Sequence, residues 1–92
     1  MQLQDYVWVF NGDGARFPSG VFSSHEKAAQ WIEQYGMSGV LTAYPMDEGA
    51  YDWAIRTGMF SPKGEKHTAP EFIQRFTSAS QDHIHYEGGK QK

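Results

Sequence analysis

F-P-S-G-V-F-S-S-H-E-K-A-A-Q-W-I-E-Q-Y-G-M-S-G-V-L-T-A-Y, residues Phe17 to Tyr44, reads as a short strand, a capped amphipathic helix and a second strand. Ser23 followed by Glu26 fits a capping box, in which the first orphan amides of a helix are satisfied reciprocally. Ala28, Trp31, Ile32 and Tyr35 recur at i, i+3, i+4 and i+7 and so share one face. Glu26, Lys27, Gln30, Glu33 and Gln34 fall largely on the other. Gly36 stands after the last periodic residue, where a left-handed cap is wanted. The centre of the fold is thus a helix joined at both ends to strands.

Outward from this centre, Tyr6–Phe10 (Y-V-W-V-F) is β-branched and aromatic, the composition of a strand. Tyr6, Trp8 and Phe10 face one way, and Val7 and Val9 the other. A strand apolar on both faces belongs inside a sheet, or in one partly covered on its second side. Asn11–Gly14 reads as a turn, since Asn, Asp and Gly tolerate positive φ. Pro18–Phe22 then pairs antiparallel with the first strand. Beyond the helix, Ser38–Tyr44 alternates as a third strand, closed by Pro45, which lacks a ladder donor. Asp47 is placed to cap a second helix carrying Tyr51, Ala54 and Ile55 and ending at Gly58. Ser61–Lys66 reads as an exposed loop. Thr68, Pro70 and Glu71 repeat the capping-box pattern before a short helix burying Phe72, Ile73 and Phe76. Asp82–Glu87 alternates as a last strand, with Ile84 and Tyr86 inward and His83, His85 and Glu87 outward. Gly88–Lys92 is expected to fray.

These elements predict an α+β fold, one mostly antiparallel sheet of about four strands packed by two or three helices, in the order ββαβααβ. The 92 residues suit one domain, with an ordered core over about residues 5–88. A chain of this size buries roughly 60–65% of its unfolded surface, so its core must be efficient. An aromatic content of 15% supplies that efficiency.

The same composition narrows function. A net charge of −3 argues against nucleic acid, whose binders neutralise phosphate with basic patches. The absence of cysteine excludes disulfides and thiolate zinc sites and fits a reducing cytoplasm. M-Q-L-Q-D-Y has neither the basic nor the apolar region of a signal peptide, and no apolar run reaches the ~20 residues of a membrane helix. A cytoplasmic protein away from membranes is expected, monomeric or weakly dimeric.

Asp47, Glu48 and Asp52 interleave with Tyr44, Tyr51 and Trp53. Acids at a helix start are favoured by the macrodipole, and this alone accounts for the carboxylates. Tyr and Trp also dominate interface hot spots, so the six residues form a candidate acidic, aromatic face for a protein partner. His83 and His85, at i and i+2 on one strand face, form a weaker candidate metal site, with Asp82, Glu87 or His67 as further donors. Two solvated imidazoles on a polar face explain the pair better, since H-x-H without a third ligand at defined spacing is a weak signal. His67 itself, before a helix cap, reads as exposed. Gly12-x-Gly14 lacks the third glycine of a dinucleotide fingerprint, since Phe17 stands there, and a hairpin loop explains it. Ser78, Ser80, Asp82 and His83 supply triad residue types, but no nucleophile elbow exists and short hydroxyls at such a place bond to backbone. Arg16 and Arg75 are single cations. No catalytic residue and no cofactor is assigned.

The phrases Phe10–Phe22, Leu41–Asp47, Tyr51–Ile55 and Phe76–Glu87 resemble a small bacterial family of single-domain proteins of no assigned function. The resemblance runs from Tyr6 to about Gly88. It implies a compact cytoplasmic domain, and it brings no activity, cofactor or site residue. The size and style are also those of immunity proteins of bacterial toxin systems. The expectation is therefore a non-enzymatic protein-binding module, immunity-like or regulatory, with a small-ligand or metal site around His83 and His85 as the alternative.

Overall fold

A computed structural model describes residues 5–92. The N-terminal reading of residues 1–4 lies outside them. Over the described residues the architecture is α+β, with one open antiparallel sheet of five strands. The strands are β1 (Tyr6–Gly12), β2 (Gly20–Phe22), β3 (Gly39–Pro45), β4 (His83–Glu87) and β5 (Lys90–Gln91). The helices are α1 (His25–Tyr35), α2 (Ala50–Arg56) and α3 (Pro70–Ile73), with a 3-10 turn at Glu65–Thr68. Two compact units result: residues 5–46 together with Gln81–Lys92, and Asp47–Ser80.

In the first unit the sheet order is β2-β1-β3-β4-β5. β1 has neighbours on both sides, as its two apolar faces require. The N- and C-terminal strands are not adjacent, because β3 lies between β1 and β4. Asn11 and Gly12 extend β1 by pairing with Val40 and Gly39, so the turn begins two residues later than their composition suggests. There the Ala15 amide donates to the Gly12 carbonyl at 3.0 Å and closes the loop.

The register brings Phe10, Leu41 and Ile84 side by side on one face. α1 lays Ala28 and Ile32 on them, and Phe10, Ile32 and Leu41 are the largest fully buried side chains. Trp31 reaches Phe10 edge-on at 6.0 Å and Phe22 at 5.3 Å, whereas Tyr35 is largely exposed. The helix starts one residue later than the capping box implies. Ser24 is the N-cap, its Oγ accepting from the Lys27 amide at 3.2 Å. Gly36 ends the helix as expected, at φ 61°.

The residues after Glu87, expected to fray, form a turn and the short strand β5 paired with β4. Gly88 and Gly89 both take positive φ, 58° and 85°, and turn the chain back into β5. Consecutive residues of that kind make the tight turn whose twist matches a hairpin. The Gly89 amide donates to the Met37 carbonyl at 2.8 Å and the Gly88 amide to Ser38 Oγ at 2.9 Å. This local bonding overrides the polar composition of the tail.

In the second unit the expected caps are absent. Asp47 sits at φ 59° in a turn, a conformation short polar side chains tolerate, and Gly49 is the N-cap of α2. Tyr51 and Ala54 are buried as expected, but Trp53 is buried too and Ile55 is 37% exposed. Thr68 Oγ1 donates to the Glu65 carbonyl instead of capping α3, whose N-cap is Ala69. Lys63–Gly64 is loop, and the 3-10 turn begins at Glu65, inside the segment expected as loop.

Candidate functional site

The second unit is held by rings. Tyr51 meets Phe60 at 6.0 Å, Phe72 at 6.2 Å and Phe76 at 5.4 Å, the last two nearly perpendicular. Phe60 stacks on Phe72 at 5.7 Å and meets Phe76 at 5.0 Å. His67, expected to be exposed, is half-buried and stacks on Phe72 at 4.7 Å. Each such pair contributes about 0.5–1.5 kcal/mol beyond the apolar area it buries. Hydrogen bonds fix the rim of the cluster. Tyr51 Oη donates to the His67 carbonyl, and the Lys63 amide donates to His67 Nδ1 at 2.8 Å, which requires that nitrogen to be unprotonated.

Beside this cluster lies a groove of about 760 Å³. Met59, Phe60, Ala69, Phe72 and Phe76 supply its apolar wall. Lys66, Glu71 and Arg75 bring charge to it, and Thr77, Ser78 and Ala79 complete the lining. That volume falls in the range of small-molecule sites, which are lined mainly by apolar and aromatic groups with a few polar ones. Glu71 and Arg75 have the i, i+4 spacing of a helical ion pair. α3 ends at Ile73, however, and no ion pair joins them.

Of the six residues of the acidic, aromatic face, Tyr44 belongs to the first unit and the other five to the second. Tyr51 and Trp53 are buried, each 9% exposed, and Tyr51 belongs to the ring cluster. Tyr44 lies half-buried on β3, in the first unit. Glu48 receives two hydrogen bonds from Arg56, Nε to Oε2 at 3.0 Å and Nη2 to Oε1 at 2.9 Å. Asp47 and Asp52 are exposed.

His83 and His85 do share an exposed strand face, with ring centroids 5.3 Å apart. His83 Nδ1 donates to the Gln81 carbonyl at 2.8 Å, so one potential ligand atom is already engaged. Among the described residues no group of three His, Cys, Asp or Glu side chains is placed to hold a metal. Ser78 Oγ accepts from the Ser80 amide at 3.1 Å, a local turn bond of the kind short hydroxyls make. Arg16 lies 5.6 Å over the exposed Phe17 ring. A third histidine, His25, packs on Trp8 at 5.3 Å and meets Tyr86 Oη through Nε2 at 3.2 Å. Burial raises the Tyr86 hydroxyl above its usual value.

Sequence reading found Phe72 and Phe76 and missed Phe60 and His67. The available signal was an aromatic residue immediately before, and an imidazole at the end of, the otherwise polar run S-P-K-G-E-K-H, with no periodicity to flag either.

Residues 7–92 match the family described as Domain of unknown function (DUF7710), and the chain belongs to it. No curated protein and no solved structure matches the chain. Among the described residues no helix is long and apolar enough to cross a membrane.

Proposed function

We propose that this member of the family is a non-enzymatic binding module whose binding feature is the aromatic groove of residues 47–80. The observation that carries the reading is the groove itself, about 760 Å³ walled by Phe60, Phe72 and Phe76 and flanked by charged side chains. Its groups are suited to holding a ligand: rings that stack, two cations and one carboxylate. A face built from Tyr44, Asp47, Glu48, Tyr51, Asp52 and Trp53 finds less support, because its two largest hot-spot candidates are buried. The histidine pair supports a metal site less still, with two imidazoles and no third donor among the described residues. A cysteine-free chain of this kind suits the cytoplasm.

The reading is tested by titrating the labelled chain with a panel of small aromatic and aliphatic compounds and following backbone amide shifts. Perturbations gathered on Phe60, Phe72, Arg75 and Phe76 support it. Perturbations gathered on Asp47 and Asp52, or on His83 and His85, or none at all, contradict it.

A further inference from the structure

We infer that the groove takes a small aromatic carboxylate, its ring lying against Phe60, Phe72 and Phe76 and its charge meeting Arg75 and Lys66. This rests on the reading of the groove as the binding site. The chain as a whole has 11 acidic and 8 basic residues, yet the groove lining inverts the balance, with Lys66 and Arg75 against Glu71 alone. Neither cation makes an ion pair or a side-chain hydrogen bond among the described residues. Within this unit Glu48 pairs with Arg56 at 2.9 Å, away from the groove lining. Charges left without partners beside an apolar wall are complementary to an amphipathic anion. A planar guanidinium fork matches a carboxylate in particular, through two parallel N–H···O bonds. The wall is made of ring edges and faces, which prefer another ring to an alkyl chain by their offset-stacked and edge-to-face geometries. The size of the groove suits a small molecule, since its volume of about 760 Å³ lies within the roughly 300–1,000 Å³ of small-ligand sites.

The test compares three probes that share one ring system and differ in charge, 2-naphthoate, 2-naphthylmethanol and 2-naphthylmethylammonium, titrated into the whole chain and followed by amide shifts. The acid is expected to bind about fivefold more tightly than the alcohol, the upper range for an exposed ion pair, with the ammonium weakest. Arg75→Gln and Lys66→Gln each narrow the gap between acid and alcohol, and Glu71→Gln widens it. Raising salt narrows it as well. All three substitutions fall on exposed side chains, and amide shifts away from the groove check that each variant is folded. Alcohol binding as tight as acid binding overturns the carboxylate assignment and leaves the groove as a binding site. Probes that leave the groove unperturbed overturn both. Capture of an acidic aromatic peptide where 2-naphthoate is inert overturns the small-ligand assignment.

Discussion

Gly39→Ala puts one methyl group at the tightest point of the sheet. Gly39 pairs with Gly12 of β1 and with Tyr86 of β4, so it lies in an interior strand and is buried. A Cβ built there lies 2.4 Å from the Asn11 carbonyl oxygen, 2.8 Å from the Gly12 Cα and 2.9 Å from the Phe10 ring. Two of those three atoms are backbone and cannot swing aside. Relief requires β1 and β3 to separate, which strains the ladder and lifts Phe10 from its packing. Overpacking of this kind costs about 3 kcal/mol. For a chain of this size that lowers Tm by about 12–24 °C. Gly12→Ala is the matched control. Its Cβ meets Phe10 at 3.7 Å and the Ser38 carbonyl at 3.8 Å, ordinary contact distances, so little change is expected although the two glycines face one another. Urea unfolding followed by far-ultraviolet circular dichroism measures both. Equal stabilities for the two variants would refute the reasoning from close approach.

Other perturbations test other links. Ser24→Ala is expected to lose about 1 kcal/mol and Ser23→Ala almost nothing, which places the α1 cap by thermal melting. Gly89→Ala forces a side chain into φ 85° and within 3.0 Å of the Gly36 Cα, so amide exchange over residues 88–92 should rise sharply. Zinc and chelator are expected to leave the melting temperature of the chain unchanged, because His83 and His85 lack a third donor among the described residues. Burial raises the Tyr86 hydroxyl, so the folded state holds that proton more tightly than the unfolded chain. The contribution is full below the unfolded tyrosine value, about pH 10, and is lost as pH rises through the higher folded value. A phenolate absorbance titration should show a late-ionising component, and Tyr86→Phe should remove it.

The first unit was legible because its signals are periodic. Ala28 and Ile32 at helical spacing, alternation through β3 and β4, and Gly36 as a stop all became buried residues and boundaries. Capping was legible only to within one residue, since Ser23 and Ser24 are chemically alike and tertiary packing of α1 decides between them. The C-terminal hairpin was missed because its polar side chains contribute little, while backbone bonds from Gly88 and Gly89 hold it. The second unit was read less well for a related reason. Its helices are seven and four residues long, too short for periodicity to outweigh the aromatic clustering that fixes them. Asp47 and Thr68 have the right chemistry for caps, but the chain enters each helix through Gly49 and Ala69. The groove could not be read from sequence, since Phe60 and Arg75 are fifteen positions apart and only the ring cluster gathers them.

The candidate site changes character accordingly. Tyr51 matters as the ring on which Phe60, Phe72 and Phe76 converge, and its hydroxyl ties α2 to the 3-10 turn through the His67 carbonyl. Loss of that hydroxyl in Tyr51→Phe is expected to cost about 1 kcal/mol and to loosen the wall of the groove. A residue that reads as a contact for a partner is packed against the three rings that wall the groove.

The most direct measurement is an isotope-filtered NOE experiment on the chain with 2-naphthoate. The account predicts contacts from the naphthalene protons to the rings of Phe60, Phe72 and Phe76. Contacts to other residues instead, or bound ligand with none to those three rings, would contradict it.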